Sequence, residues 1–445
     1  MECRPVFRAL TRSSVRFDEI IRTSEPSPRE VRVALVLTAA ALLGVVLLKA
    51  ANLSDASAYD FSVRYASGFL LRQGNGAKIY DVQEQVKVQR ELFNRTGPVI
   101  MELHPPFEAL LWAPLTYLSY THAYAVWGVI NIALLMWFVH FMRPHVPIPK
   151  QTFQYFILCF AFFPVWTNLL HGQTAMLLLI FYSLTFLSLK RREDFKAGAF
   201  LGLGLLKFQL VLPFALICLL RKKLRMMAGF VAVASLLGVL SILAVGWSGV
   251  VAYLKLPNEI MHRPADPTFV HIPLSYMPSI RGFFTVLMTG RVPPLWTSVA
   301  IALASAFLVL FTAWVWRRED RRGRDARLGL TFAAALSVSL MSGFYLYIQD
   351  LSPFLLAILL AIGSFESLDA SRWRLLLGAS IAVLYTLPMY LVVVSRGGIY
   401  LIWPVLMCFT LAVFALLRQR TRPELTADGG AGPIVAGTVG GEAAK

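Results

Sequence analysis

Apolar residues run along this chain in blocks close to the ~20 residues that a helix needs to cross a bilayer. Examples are VALVLTAAALLGVVLL at 33–48 and SVAIALASAFLVLFTAWVW at 298–316. Membrane β-strands would show shorter, alternating segments, so the pattern predicts an all-α polytopic membrane protein. Spans are expected at 32–51, 122–142, 152–170, 174–190, 226–246, 295–316, 374–394 and 399–417. Two further stretches, 195–220 and 328–365, have cytoplasm-type basic clusters at both ends, which is the wrong parity for a single crossing. Each is read as a hairpin of two short helices, with tips at LKFQ (206–209) and YLYIQD (345–350), which brings the total to about twelve crossings. The stretch 105–120 carries Glu108 and Pro114 and is expected to be re-entrant or partial.

Between the first two full spans lies a polar segment, 52–104, in which Phe61, Tyr65 and Phe69 recur at helical spacing and Val82, Val86 and Phe93 mark a second stripe. Two amphipathic interfacial helices are predicted there. Asp81 followed by Glu84 reads as an N-cap with its reciprocal partner, and GNG (74–76) separates the two helices. A second polar loop, 247–294, is rich in proline and is not expected to form one regular helix.

The net charge of +17 would point to nucleic acid in a soluble chain. Here the basic residues cluster between apolar runs, in 1–31, KRREDFK (190–196), RKKLR (221–225), RREDRRGRDAR (317–327), RWR (372–374) and RQRTR (418–422). The positive-inside rule makes these stretches cytoplasmic. The expected organisation is a basic cytoplasmic N-terminus (1–31), a transmembrane domain (32–420) with extracytoplasmic loops at 52–104 and 247–294, and a disordered cytoplasmic tail (421–445). The first apolar run lacks a small-x-small cleavage site and is read as a retained span. The setting is an inner (plasma) membrane, with no nucleic-acid partner. Cys3, Cys159, Cys218 and Cys408 are placed for neither a disulfide nor a Cys-x-x-Cys site.

This topology, set by charge, brings Asp60, His104, His171, Gln173, Lys207, Gln209, Gln349 and Asp350 to one side of the membrane. An ionisable residue at membrane depth costs about 2.5–3.5 kcal/mol on insertion scales, so Lys207 and Asp350 need partners or a wet cavity. The chain has no phosphate-binding loop, no dinucleotide fingerprint and no Asp-x-Asp pair for a metal-bound diphosphate. An enzyme working on that outward side would receive its activated group through the membrane. A polyprenyl-phosphate sugar supplies one, and its transfer needs a carboxylate base for the acceptor hydroxyl and cations for the departing phosphate. Asp60 suits the first role, with Asp55 as the nearest competitor. Lys207 suits the second, with Arg263, Arg281 and His104 as helpers. No metal or other cofactor is expected. The other reading of Asp60 is a helix N-cap, and that of Lys207 is a lysine snorkelling to the headgroups.

The ordered segments DFSVRYASGFLLRQGNGAKIYD (60–81), HPPFEALLWAPLTYLSYTHAYAVW (104–127), HGQTAMLLLI (171–180) and AGAFLGLGLLKFQLVLP (197–213) resemble glycosyltransferase family 87, the polyprenol-phosphate-mannose-dependent α-mannosyltransferases of the GT-C fold class. The resemblance implies transfer of a hexose, mannose above all, with inversion, from the lipid-phosphate donor to a lipid or glycan acceptor on the extracytoplasmic face. It maps the base onto Asp60. His171, Gln173, Gln209, Tyr345 and Asp350 are then candidates for substrate contacts, Asp350 alternatively pairing with Lys207 or Arg281. This chain departs from the family pattern at His104, Phe208 and Tyr345, where many relatives are expected to carry Tyr, Pro and His. A transporter or flippase, with charges lining a pathway, is the competing class; the two short hairpins favour it slightly and the polar segment after the first span does not.

Overall fold

The computed structural model describes residues 59–94, 98–146, 152–262, 273–321, 327–364 and 372–418. The expected span at 32–51, Asp55, Arg263 and the tail beyond 420 lie outside them. Among the described residues there are helices and no strand. The helices are α1 (Tyr59–Arg72), α2 (Val82–Phe93), α3 (Ala109–Trp112), α4 (Tyr120–Met142), α5 (Thr152–Phe160), α6 (Phe163–His171), α7 (Ala175–Lys190), α8 (Asp194–Leu203) and α9 (Phe208–Leu220). They continue with α10 (Leu224–His262), α11 (Ile280–Met288), α12 (Pro294–Arg321), α13 (Leu328–Met341), α14 (Phe354–Ile362), α15 (Arg372–Tyr385), α16 (Leu387–Ser395) and α17 (Ile402–Arg418).

Among the described residues, five stretches could cross a membrane by length and composition: Tyr120–His145, Asp194–Leu220, Leu224–Leu256, Pro294–Asp320 and Ile399–Arg418. The α15–α16 pair, bent by 63°, makes a sixth if it is one span. Asp194–Leu220 nevertheless folds back on itself. The backbone leaves helical geometry at Lys207 (φ −126°, ψ 61°), and a Cβ on Gly204 would sit 2.9 Å from the Val211 side chain, seven residues on. In a continuous helix those positions would lie about 10 Å apart along the axis. Both ends of this hairpin therefore meet the start of α10, where Gly198 packs against the Met226 backbone. The shorter apolar helices α13 and α14 are buried along most of their length and form the centre of the bundle. Such all-round hydrophobicity is what a helix surrounded by other helices requires. By contrast α4, α10 and α12 expose Val129, Leu236, Leu243, Leu303 and Phe307 on outward faces suited to lipid.

Residues 59–94 and 98–118 build a platform at one end of the bundle. Asp81 caps α2, accepting from the N–H groups of Gln83 and Glu84, and Asn94 ends it in the left-handed region. The buried face of α2 runs through Gln85, Val88 and Gln89; of the expected Val82, Val86 and Phe93, all half-buried, Phe93 packs its ring against Tyr65 and Tyr120. The glutamines are admitted because their amides donate to the carbonyls of Ile79 and Ile100 at 2.7 and 2.8 Å. The stretch 105–120 makes no span: its only α-helix is the single turn α3, flanked by 3-10 turns at Pro106–Glu108 and Ala113–Tyr117. It crosses α1 at Gly68, where any side chain would strike the Trp112 backbone at 2.6 Å. The loop expected from 247 onward instead begins as helix. Gly246 (φ 69°) redirects α10, and Val245 and Leu256 join Ala66, Leu70, Ile79, Tyr80, Val88 and Ala109 in a small core under the platform. Burial of that apolar face favours helix in this first part of the segment, up to His262, which holds only one of its prolines, Pro257.

Candidate functional site

The site is assembled from four short backbone features that end at the same level. α1 begins at Tyr59 and carries Asp60 in its first turn, where a helix N-terminus favours a carboxylate. α6 stops at Gly172, in the left-handed region (φ 60°), with Phe61 packed 2.8 Å from where a Cβ would be. That turn presents Gln173, whose backbone carbonyl is held by Trp127 Nε1 at 3.2 Å. The α8–α9 hairpin carries Lys207 at its tip, and the tip between α13 and α14 carries Asp350.

Gln173 joins them. Its Nε2 donates to Asp60 Oδ2 at 2.8 Å, while its Oε1 accepts from Arg64 Nη2 at 2.7 Å and from Lys207 Nζ at 3.1 Å. Lys207 Nζ also pairs with Asp350 Oδ1 at 2.7 Å, both side chains being nearly fully buried. Asp350 Oδ2 in turn accepts the Tyr347 backbone N–H at 3.2 Å. The two cations leave the amide one orientation, oxygen toward them and NH2 toward Asp60. Asp60 itself is half-buried, and its Oδ1 bonds to no side chain among the described residues.

Behind Asp60 lies a layer of which sequence reasoning named only His104. Arg64 is 0% exposed. It donates from Nε to Glu108 at 3.1 Å and from Nη2 to His104 Nε2 at 2.8 Å. His104 Nδ1 is bonded to Glu102 Oε1, whose other oxygen accepts from Ser67 at 2.6 Å. Burial alone would push the Glu102 carboxyl up, but His104, its hydrogen bonds and that of Ser67 outweigh it and hold Glu102 below the ordinary carboxylate value. Burial and Glu102 push the Tyr80 phenol up, so it stays protonated and donates to the His104 carbonyl at 2.6 Å. A usable signal existed: Asp60, Arg64 and Gly68 share one helical face at i, i+4 and i+8, and Glu102 and Glu108 bracket His104.

Other expected site residues stand apart. His171 Nδ1 donates to Thr167 O of its own helix at 2.8 Å. Gln209 makes no hydrogen bond with the network. Arg281, half-buried, lies 3.8 Å over the Phe344 ring and 5.1 Å from that of Tyr345, at the rim formed by the 345–350 tip; Tyr347 feels the charges of Asp350, Asp60 and Arg281 together.

Fold and site define a helical membrane protein that keeps a dense, charge-paired polar centre next to Asp60, one of whose oxygens bonds to no side chain among the described residues. The sequence profile of glycosyltransferase family 87 matches residues 103–343, more than half of the chain, and the chain belongs to that family. It is a membrane glycosyltransferase. The matched stretch contains His104, Gln173 and Lys207; Asp60 precedes it and Asp350 follows it. No curated protein and no solved structure matches the chain.

Proposed function

We propose that the protein transfers a hexose, mannose in first place, from a polyprenyl-phosphate sugar to a hydroxyl of a lipid or glycan acceptor on the extracytoplasmic face of the plasma membrane, with inversion and without a metal. The observation that carries this reading is Asp60: half-buried, with one oxygen held by Gln173 and the other bonded to no side chain among the described residues. That second oxygen takes the acceptor's proton as the acceptor oxygen attacks the anomeric carbon. The bond from that carbon to the phosphate oxygen breaks, and polyprenyl phosphate leaves with the electron pair. Arg281 is the accessible cation for the phosphate. Lys207, buried behind it, donates one N–H to Gln173 and is ion-paired with Asp350 at 2.7 Å, and lends its charge to the site. The half-exposed rim at Tyr345 is left for acceptor contacts.

The test is transfer from radiolabelled polyprenyl-phosphate mannose to a membrane lipid extract, with chelator present. Wild type should form product, and Asp60→Asn should lose a factor on the order of 10²–10⁴, the usual worth of a general base. An Asp60→Asn protein with wild-type rates would remove the carboxylate from the mechanism.

A further inference from the structure

We propose that His104 acts as a positioning residue which, locked by Glu102 in the Nδ1-protonated form, holds Arg64 and through it Gln173 and Asp60, and that it does not bind the donor phosphate. The proposal deepens the reading of Asp60 as the base and rests on it. Its starting point is that a guanidinium has only donors. Arg64 Nη2 lies 2.8 Å from His104 Nε2, so Nε2 must present its lone pair. The ring proton is then on Nδ1, where Glu102 Oε1 receives it. The same carboxylate oxygen accepts the His104 backbone N–H at 2.8 Å, and the other accepts from Ser67. Every hydrogen bond from Glu102 to Asp60 thus has one possible direction.

A ring in this state has no N–H left for a phosphate. Its one remaining valence toward the site is already filled by Arg64, which is fully buried among Glu108, His104 and Gln173. Protonating Nε2 would set a donor against a donor and turn Arg64 away from Gln173. The Gln173 amide would then be oriented by Lys207 alone.

Three variants and one spectrum test this. His104→Gln offers an amide oxygen to Arg64, whereas His104→Lys sets a cation against it. His104→Gln should stay within a few-fold of wild-type kcat, and His104→Lys and Glu102→Gln should lose on the order of 10²-fold, the scale of a misplacement of about 1 Å. In all three the KM for donor and the melting-temperature rise given by polyprenyl phosphate should match wild type. If His104→Lys instead keeps kcat while His104→Gln raises donor KM and abolishes the melting shift, His104 is a phosphate ligand and the proposal fails. The tautomer is read without any substrate, from 15N shifts of histidine-labelled protein, with the His104 signals assigned by their loss in His104→Gln. A bare Nε2 and a protonated Nδ1 support the relay; a protonated Nε2 overturns it. Failure of the proposed reaction itself would show separately, as absence of transfer by wild type or full activity of Asp60→Asn.

Discussion

Helix α9 is flanked by two cations that meet two aspartates, and the pairs differ in everything except their chemistry. Lys207, before its first residue, pairs with Asp350 in a site where both side chains are nearly fully buried and Gln173 shares the ammonium. Arg221, after its last residue and about 20 Å away along the helix, pairs with Asp320 at 2.6 Å, and that aspartate side chain is 37% exposed. Arg221 also lies 3.6 Å over the Trp316 ring. One pair sits in the polar centre and is wired to Asp60; the other fastens the opposite end of α9 to α12 next to water. Burying an ion pair gains little net stability over apolar groups of the same volume, so the expensive pair is the one that calls for a functional reason.

Breaking the two pairs should separate them clearly. The largest effect is expected for Lys207→Ala, which strands Asp350 in the interior and should cost about 3–5 kcal/mol of stability, read as a large fall in melting temperature in detergent. Lys207→Met combined with Asp350→Leu should recover most of that stability and still show no transfer. A double variant that is both stable and active would reduce the pair to a structural element. Arg221→Ala leaves a partly solvated carboxylate and a bared tryptophan face, and should cost only about 1 kcal/mol with transfer kept.

The smallest effect concerns Glu102. Its carboxyl is held below its ordinary value of 4.5, so its contribution to stability is present above that pH and is lost as pH falls through the lower folded-state value. Acid unfolding curves should show this loss in wild type and be flatter in Glu102→Gln; coincident curves would mean that Glu102 contributes nothing through its charge.

Much of this arrangement could be read before the fold was seen, because bilayer length and loop charge are strong constraints. They placed Lys207 and Asp350 at hairpin tips and Gln173 in a turn, and the three do meet. Arg64 could not be read in the same way. Its spacing puts it on the face of Asp60 and Gly68, but nothing local says that its partners are Glu108 and His104, some forty residues on. Gln85 and Gln89 were invisible for a related reason: an amide is buried when it finds free carbonyls, and those belong to Ile79 and Ile100. The helical run after Gly246 escaped because the prolines of 247–294 lie mostly beyond it, only Pro257 falling within, while its packing against Ile79 and Tyr80 is decided at long range.

The Lys207–Asp350 contact also sets an order of events during synthesis. The chain enters the membrane from its N-terminus, so the hairpin bearing Lys207 is delivered well before the ribosome has made Asp350. In that interval the ammonium has no ionic partner from its eventual tip and costs about 2.5–3.5 kcal/mol if it sits in hydrocarbon. The platform waits as well, since its small core is closed by Val245 and Leu256. A nascent chain halted before residue 350 would therefore hold Asp60 and an unneutralised lysine in a loosely seated hairpin, a ready mark for the quality-control machinery of the membrane.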